Sequence, residues 1–374
     1  MTSLNLAELE KEIGAPETDQ QTKSFALPAP LAWAKLRQPV DYTDNLLGDR
    51  FLERGQGLIL YGPAGCGKSV AGLQAVTEWA ADLKGLHIAP AFPLKTVILQ
   101  TEDSLNDTRE SLAGILASSL FTAEKIALVE QNLIILPPVP GGTSNDLKGF
   151  LNAAAIEHKP DVVLVNPLLA FCPRDPPREL GGLLYQTLDP IIKLHRVGFL
   201  GVHHTPKTNN RDTSGYGAHD HQYLAAGDAR VANWPRAMIQ IEPVAKGVYL
   251  FRISKRWQRT GWTWEGKPVS ERYFRHAKNE VRWIDALPEE AAEAKAVENY
   301  KVILEVLPAP DKPGISRERL RDAAKNKLSI GKGKADSWLK LAIEDGTVER
   351  LETPIPDSKR KEALFRRKEI ANAT

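Results

Sequence analysis

The residues best suited to chemistry lie in a glycine-rich segment after an apolar run. Residues 62–69 match G-x-x-x-x-G-K-[ST], and a run with helical spacing follows them. Glycine lets successive backbone N–H groups turn toward phosphate oxygens at the positive end of that helix. Lys68 suits the β- and γ-phosphate oxygens, and Ser69 can offer its hydroxyl to Mg²⁺. The residues expected to hold a nucleoside triphosphate, most simply ATP, are Gly62, Pro63, Ala64, Gly65, Cys66, Gly67, Lys68, Ser69 and Val70.

A pair of acidic residues, Glu102 and Asp103, follows the next apolar run. We expect this run to be a strand adjacent to the phosphate-loop strand, and side chains at the carboxyl ends of such strands enter the ligand crevice. In-line attack on a phosphate needs an oriented water, so Glu102 is the candidate general base. The alternative is to cap the following helix, a role that Asp103 or Ser104 suits better.

The apolar run 162–165 ends at Asn166, where a carboxylate that helps to hold Mg²⁺ is expected. Asp161 cannot substitute, since five residues at about 3.3 Å each separate it from the crevice end of the strand. An asparagine carbonyl can still hold a magnesium-bound water, but it brings no charge. The predicted metal residues are therefore Ser69 and Asn166, with weaker magnesium binding or slower hydrolysis.

Two histidines, His203 and His204, end the strand after that. Because side chains alternate along a strand, one of the pair faces the crevice and the other packs against a helix layer. The crevice histidine is expected to sense phosphate. A metal site that recruits His219 with Asp220 or His221 is the alternative, although no ordered spacing supports it.

Length and composition narrow the class of protein. At 374 residues, with 42% hydrophobic and 26% charged residues, the chain is expected to form one large and one smaller folded unit. Its apolar runs end before the roughly 18 residues that a membrane span needs, and no secretion signal opens it. Two cysteines suit a reducing compartment, so we expect a cytoplasmic protein without a membrane partner. The net charge of +2 gives no overall attraction to nucleic acid.

The spacing of the apolar runs predicts an α/β fold with a mixed, mainly parallel sheet. Short β-rich runs alternate with helical patterns from residue 57 to about 264. The runs 237–241 and 248–253 predict an antiparallel hairpin at the sheet edge. The expected domains are a mobile arm over 1–40, a P-loop ATPase domain over 41–285, and a linker helix with a winged-helix domain over 286–374.

The order of helices and strands expected within residues 286–374 is that of a winged helix. Apolar spacing marks one helix around Ile303 and another around Trp338, and Ser316 suits the N-cap of a third between them. Two short strands, near 347–351 and 363–367, flank a loop rich in proline and basic residues.

The order of the chemical motifs resembles that of the RepA-type hexameric ATPases and helicases of the RecA-like P-loop superfamily, which plasmids, phages and integrated elements encode. The resemblance covers about residues 46–262. Stronger members of that family carry aspartate in place of Asn166, and a subgroup resembling phage proteins shares the Asn-Pro-Leu-Leu strand end. Besides the phosphate loop, the matching motifs are Gln100-Thr-Glu-Asp, Val165-Asn-Pro-Leu-Leu, His203-His-Thr-Pro-Lys, Asn233-Trp-Pro-Arg-Ala and Lys255-Arg-Trp-Gln-Arg-Thr-Gly-Trp.

The resemblance implies roles for the residues within one subunit. Lys68 and Ser69 would hold the triphosphate and Mg²⁺, and Glu102 would be the catalytic base. His204 would be the sensor that couples phosphate to DNA.

It also implies a site shared between subunits of a homo-oligomeric ring, a hexamer. Arg236, with Lys255 or Arg259, would reach the nucleotide of a neighbouring subunit as an arginine finger. A planar, always charged guanidinium suits transition-state charge at such a boundary, whereas a surface salt bridge is the alternative.

Two basic segments are candidates for binding DNA. The polar stretch 205–227 is long for a simple connection, so Lys207 and Arg211 are expected to track single-stranded DNA in the ring channel, or else the stretch is a disordered surface loop. The winged helix would bind duplex DNA, or alternatively a replication partner protein. Its candidate DNA residues are Lys334, Lys340, Lys359 and Arg360.

The function that these patterns favour is an ATP-dependent motor acting on DNA, a replicative-type helicase of a phage or mobile element. One alternative is a slow, ATP-switched DNA-binding regulator or helicase loader that does not unwind. A second alternative is an assembly module that binds nucleotide without turnover.

Overall fold

The computed structural model describes residues 29–205, 229–245, 247–277, 281–292, 302–328, 330–354 and 361–368. The chain divides into two compact units, Met1–Asp41 and Tyr42–Thr374. The described part of the first unit contains a short helix, α1 (Trp33–Leu36), whose side chains are all exposed. The second unit contains the phosphate loop and all the elements that follow.

A nine-stranded sheet forms the centre of the second unit. Two short strands, β1 (Asn45–Leu47) and β2 (Leu52–Glu53), precede it as an antiparallel ribbon. The remaining strands up to residue 286 are β3 (Gly57–Pro63), β4 (Thr96–Gln100), β5 (Leu133–Ile135), β6 (Val162–Asn166), β7 (Gly198–Thr205), β8 (Ala237–Ala245), β9 (Val248–Lys255), β10 (Thr263–Trp264), β11 (Lys267–Pro268), β12 (Glu271–His276) and β13 (Trp283–Ala286). The sheet order is β13-β12-β9-β8-β3-β7-β6-β4-β5, and β10 and β11 form a separate two-stranded ribbon. The block from β8 to β5 is parallel, whereas β9, β12 and β13 are antiparallel to their neighbours.

Helices cover both faces of this sheet. They are α2 (Lys68–Ala80), α3 (Leu105–Leu116), α4 (Ala123–Asn132), α5 (Ser144–His158), α6 (Pro176–Gly182), α7 (Asp189–His195) and α8 (Ala229–Asn233). Along β3 the side chains alternate between two cores, as the period of a strand requires. Leu58 and Leu60 pack with α2, α3 and α4, whereas Ile59 and Tyr61 pack with α5 to α8. The predicted α/β class with a mainly parallel, mixed sheet is confirmed.

The predicted hairpin is correct in its pairing but wrong in its position. β8 and β9 pair antiparallel, yet β8 also pairs with β3, and β12 and β13 lie beyond β9. An aromatic cluster explains why the sheet continues past β9. The rings of Phe251 and Phe274 lie 4.3 Å apart, and those of Phe251 and Trp283 lie 5.2 Å apart. Ending the sheet at β9 would leave this apolar face uncovered.

The predicted neighbour of the phosphate-loop strand is also wrong. β7 and β6 lie between β3 and β4, so the strand that ends before Glu102 is third from β3. Sequence order does not give spatial order here, because every parallel connection crosses over through a helix and can skip positions.

The last part of the chain forms its own small sheet and core. Its elements are a 3₁₀ turn (Val302–Glu305), β14 (Ile315–Ser316), α9 (Arg317–Leu328), α10 (Lys332–Glu344), β15 (Val348–Pro354) and β16 (Lys361–Arg367). The antiparallel strand order is β14-β16-β15. Ser316 Oγ accepts from the backbone N–H of Arg319 at 3.4 Å, as expected of an N-cap. Ile303, Leu320, Trp338 and Phe365 meet in one buried cluster. The helix predicted around Ile303 is a 3₁₀ turn in the described residues.

Candidate functional site

The phosphate loop leaves the end of β3 and enters α2 at Lys68. Gly65 and Gly67 both have a φ of +76°, a conformation that side chains disfavour. Gly67 has a second reason to be glycine: a Cβ added there would lie 2.6 Å from a ring carbon of Trp283. The loop therefore rests directly on β13, more than two hundred residues away in sequence. Trp283 is a site residue that sequence reasoning missed, since no local pattern connects it to the loop.

Gly67→Ala should destabilise the protein by about 2 kcal/mol more than Gly65→Ala, because only the former displaces Trp283. Gly65→Ala is the control. Nothing lies within 4 Å of a Cβ added at Gly65, so this variant should be destabilised only by its left-handed backbone, by about 1–2 kcal/mol. Urea unfolding of both variants gives the difference. Equal losses would contradict the packing of the loop on Trp283.

Lys68 and Cys66 point into the protein beneath the loop. Lys68 is 2% exposed, and its Nζ donates to the carbonyl oxygen of Pro63 at 2.6 Å and lies 3.7 Å from Cys66 Sγ. Burial lowers the pKa of Lys68 and raises that of the Cys66 thiol. A bound triphosphate would favour the ammonium form of Lys68. The thiol of Cys66 points toward the carbonyl oxygen of Ile241, at 3.9 Å, so this residue offers phosphate only its backbone.

A hydrogen-bond chain joins Ser69, Asn166 and Asp103. Ser69 Oγ donates to Asn166 Oδ1 at 3.4 Å, and Asn166 Nδ2 donates to Asp103 Oδ2 at 3.1 Å. These hydrogen bonds form because β4 and β6 are parallel neighbours that pair Gln100 with Asn166. Asp103, which follows the end of β4, therefore lies next to Asn166. Burial, followed by the charges of Glu102 and Asp107, raises the pKa of Asp103.

Asp103 is therefore a site residue to which the sequence assigned a different role. The N-cap of α3 is Ser104, whose Oγ accepts from the backbone N–H of Asp107 while Asp107 accepts from that of Ser104. The carboxylate of Asp103 is left to face Asn166. The available signal was the second acidic residue at the strand end, but only the order of strands places it beside Asn166.

The oxygen donors gathered here suit Mg²⁺. Ser69 supplies a hydroxyl, Asn166 an amide oxygen and Asp103 a carboxylate, and Mg²⁺ prefers a few such ligands completed by phosphate oxygens and water. Within the described ranges, no group of three or more histidine, cysteine or acidic residues could hold a metal by itself. The residues present thus fit a magnesium ion that arrives with a nucleotide. The predicted alternative at His219, Asp220 and His221 lies outside the described residues.

Glu102 and His204 meet on the solvent side of the loop. β7 lies beside β3 and pairs His204 with Gly62, so the end of β7 reaches the loop. His204 Nε2 lies 3.5 Å from Glu102 Oε2, an ion-pair distance rather than a good hydrogen bond. Burial first, and then the charge of Lys68, lower the pKa of His204, while Glu102 opposes them. His204 is the histidine that faces this crevice, and His203 is 4% exposed.

This arrangement has the parts that phosphoryl transfer needs. Lys68 lies at the phosphate cradle, Glu102 is exposed where water can reach it, and His204 lies beside Glu102 at the end of β7. The assignment of Glu102 as base and His204 as sensor stays a prediction.

Arg236 lies at the amino ends of the parallel strands, opposite the carboxyl ends that carry this site. Its backbone N–H donates to the carbonyl oxygen of Gly57, the first residue of β3, at 2.9 Å. Gly57 and Pro63 are six residues apart along the strand, which is about 20 Å. The Arg236 side chain is exposed and forms no ion pair with any residue that the structure describes. It cannot reach the loop of its own subunit, so any role in hydrolysis requires a neighbour.

Lys255 holds the segment before Arg236 in place. Its Nζ donates to the carbonyl oxygens of Ala232, of Pro235 at 3.0 Å and of Asn233 at 3.4 Å. Burial, with a contribution from the charge of Arg236, lowers its pKa to about 8. The side chain predicted as an alternative finger is thus turned inward.

Arg259 is also held within its subunit. Its guanidinium donates to the carbonyl oxygen of Asp49 at 3.2 Å, and its own carbonyl accepts from the backbone N–H of Asp49 at 2.8 Å. Arg236 is the better placed of the predicted finger residues to project outward.

The predicted DNA residues divide into two groups. Lys207, Arg211, Lys359 and Arg360 lie outside the described residues. Lys334 Nζ lies 4.9 Å from the centroid of the Trp338 ring, and Lys340 Nζ lies 3.7 Å from Glu344. Such surface contacts are weak and leave both lysines accessible to phosphate.

The described helices include none long and apolar enough to cross a membrane.

The comparison with known protein families agrees with the phosphate loop at residues 62–69. A family model described as AAA domain (AAA_25) matches residues 21–210. Among solved structures, a KaiC-like protein from the hyperthermophilic archaeon Pyrococcus horikoshii OT3 is similar over 64% of this chain and 94% of that chain, with 14% identity and a TM-score of 0.40. A likeness this distant carries no conclusion about activity. No curated protein matches the sequence. Because the family match spans just over half of the 374 residues, the chain belongs to this AAA domain family of P-loop ATPases.

Proposed function

We propose that this protein is an ATP-driven motor that acts on DNA and hydrolyses ATP between the subunits of a homo-oligomeric ring, as a helicase of a phage or mobile element does. The observation that carries the proposal is the separation of the two halves of the site. The phosphate loop lies at the carboxyl ends of the parallel strands. The exposed Arg236 lies about 20 Å away, at their amino ends. Head-to-tail packing of subunits would bring the amino ends of one subunit's strands to the phosphate loop of the next subunit.

A DNA-acting role is supported by the last part of the chain. The order β14, α9, α10, β15, β16 with a three-stranded antiparallel sheet is the order expected of a winged helix. We propose that this part recruits the motor to duplex DNA or to a replication partner, with Lys334 as a contact. A hexameric ring would surround single-stranded DNA.

A slow, ATP-switched regulator or helicase loader is the second candidate. The specific observation in its favour is Asn166, which places an uncharged amide where a carboxylate helps to hold Mg²⁺ in faster enzymes. Such a protein would bind ATP and DNA and hydrolyse slowly without unwinding. An assembly module that binds nucleotide without turnover has no separate observation in its favour.

Glu102→Gln should reduce ATP hydrolysis about a hundredfold or more while leaving ATP binding intact, because the amide cannot take a proton from water. Hydrolysis is measured with and without single-stranded DNA. The matched control is Glu110→Gln, which removes an exposed carboxylate from α3 and should keep the native rate. No hydrolysis by native protein in either condition would refute the motor, and stimulation by DNA without strand displacement would favour the regulator.

A further inference from the structure

A magnesium ion at this site would gain no charge from the residue that ends β6. Asn166 is 3% exposed and occupies the strand end beside Ser69, but its amide is neutral. One hydrogen bond further on, 3.1 Å from its Nδ2, lies the carboxylate of Asp103. We propose that Asp103 replaces the missing carboxylate of this magnesium site, acting through Asn166: the amide presents the oxygen, and Asp103 supplies the charge and fixes the amide. The inference rests on the proposed hydrolysis at this loop.

The position of Asp103 is not explained by the fold. Ser104 caps α3 and Asp107 completes the cap, so Asp103 is not needed to begin the helix. In the described parts of the chain it forms no ion pair with lysine or arginine, and Glu102 and Asp107 are the charges closest to it in sequence. A half-buried carboxylate among other carboxylates is unfavourable unless a cation compensates it. A metal ion arriving with the nucleotide would do so.

Asp103 also decides which atom of Asn166 faces Ser69. A carboxylate accepts hydrogen bonds and donates none, so it can pair only with the Nδ2 side of the amide. With Nδ2 committed to Asp103, the Oδ1 atom must turn toward Ser69, where it accepts at 3.4 Å. Without this carboxylate the amide could rotate and direct its N–H groups at the cation. Asp103 is thus a positioning residue as well as a source of charge.

The space beside these groups has room for a water. A cavity of about 40 Å³ is lined by Ser69, Asp103 and Asn166, together with Gln100 and Thr108. One water needs about 10–15 Å³ of space for its centre, so the cavity has room for a metal-bound water beside these oxygen donors.

The contact between Asp103 and Asn166 changes the result expected when a carboxylate is placed at the end of β6. Asn166→Asp alone places two carboxylates side by side, and their repulsion offsets the added charge. The sequence alone favours tighter magnesium binding by this variant; the structure does not. The exchange Asp103→Asn with Asn166→Asp, in contrast, preserves one carboxylate and one amide in contact.

The test measures metal binding, not turnover. Electron paramagnetic resonance follows Mn²⁺ bound with a non-hydrolysable ATP analogue in the native protein, Asp103→Asn, Asn166→Asp, the double exchange and the control Glu110→Gln. Asp103→Asn should weaken Mn²⁺ binding about tenfold or more. This is the typical loss of metal affinity when a residue that is hydrogen-bonded to a metal ligand is replaced. Asn166→Asp should bind no tighter than native protein, the double exchange should bind within about threefold of it, and Glu110→Gln should be unchanged.

Three outcomes would overturn the inference. Native affinity in Asp103→Asn means that this carboxylate does not serve the metal. Tighter binding by Asn166→Asp means that the two carboxylates do not compete. A double exchange as weak as Asp103→Asn means that the loss was structural.

Nucleotide binding without metal separates this inference from the proposed function. A fluorescent ATP analogue in EDTA should bind native protein and Asp103→Asn equally, through the loop backbone and Lys68. If native protein binds no nucleotide with or without metal, the proposed function fails and the inference with it. If nucleotide binds but Asp103→Asn has the same Mn²⁺ affinity as native protein, only the inference fails.

Discussion

Arg236→Ala should lower the rate of ATP hydrolysis about a thousandfold while leaving the affinity for ATP nearly unchanged. An arginine that enters a neighbour's site stabilises charge that develops on the transferred phosphoryl group, a contribution of about 10³–10⁵ in rate. Arg236 is exposed and lies at the amino ends of the strands, opposite its own phosphate loop. Its loss therefore removes nothing from the loop that binds ATP. Steady-state hydrolysis gives kcat, and a fluorescent nucleotide titration gives affinity.

Mixing subunits is the control for this prediction. Arg236→Ala protein lacks the finger, and Lys68→Ala protein lacks the cradle, so each is expected to be inactive alone. In a mixture, some interfaces pair an intact Lys68 with an intact Arg236, and part of the activity should return. Arg236→Lys should remain slow, since an ammonium group lacks the planar fork. A mixture that stays inactive, or an Arg236→Ala protein with the native rate, would contradict a shared site.

Local patterns are sufficient to predict the strands that carry this chemistry. Each is a short apolar run bounded by polar residues, and the runs expected at 162–165, 237–241 and 248–253 start where β6, β8 and β9 start and end within four residues of them. The phosphate loop and the N-cap at Ser316 were also accessible, because both depend on residues close in sequence.

The contacts that complete the site depend on the order of strands, which is not local. β4 was expected next to β3 and lies three positions away, beside β6. This order brings Asp103 to Asn166, so a residue expected to cap a helix becomes a candidate for the metal site. Likewise β12 and β13 extend the sheet beyond its expected edge and place Trp283 against Gly67. Side-chain packing between distant segments, rather than propensity, decides both positions.

The contact between α2 and β13 also contains a buried acid whose titration should control stability. Glu78, on α2, is 6% exposed, and its Oε1 accepts from Gln74 Nε2 at 2.9 Å. Gln74 in turn accepts from the backbone N–H of Trp283 at 2.7 Å and donates to its carbonyl oxygen at 2.9 Å. Burial raises the pKa of Glu78 from the ordinary value of 4.5 to about 7, against the hydrogen bonds from Gln74 and the backbone of Leu86.

Glu78→Gln should therefore stabilise the protein by about 3 kcal/mol at pH 8 and by little at pH 4. In the unfolded chain this carboxyl loses its proton near pH 4.5, whereas in the folded protein it keeps it to about pH 7. Between those values the folded state binds more protons, so the free energy of unfolding falls as pH rises. The stability that the protonated acid gives is complete below pH 4.5 and is lost by pH 7 to 8. Glutamine keeps the neutral form at every pH.

Urea unfolding of native protein and Glu78→Gln at pH 4, 6 and 8 measures this difference. Glu124→Gln, which removes an exposed carboxylate on α4, should leave the pH dependence of stability unchanged. A stabilisation equal at all three values would mean that Glu78 does not titrate in the folded protein over this range. Loss of stability at pH 8 would mean that its charged form is needed, which burial beside an uncharged Gln74 makes unfavourable. The expected result links the α2–β13 contact, and with it the support beneath Gly67, to a proton that leaves near neutral pH.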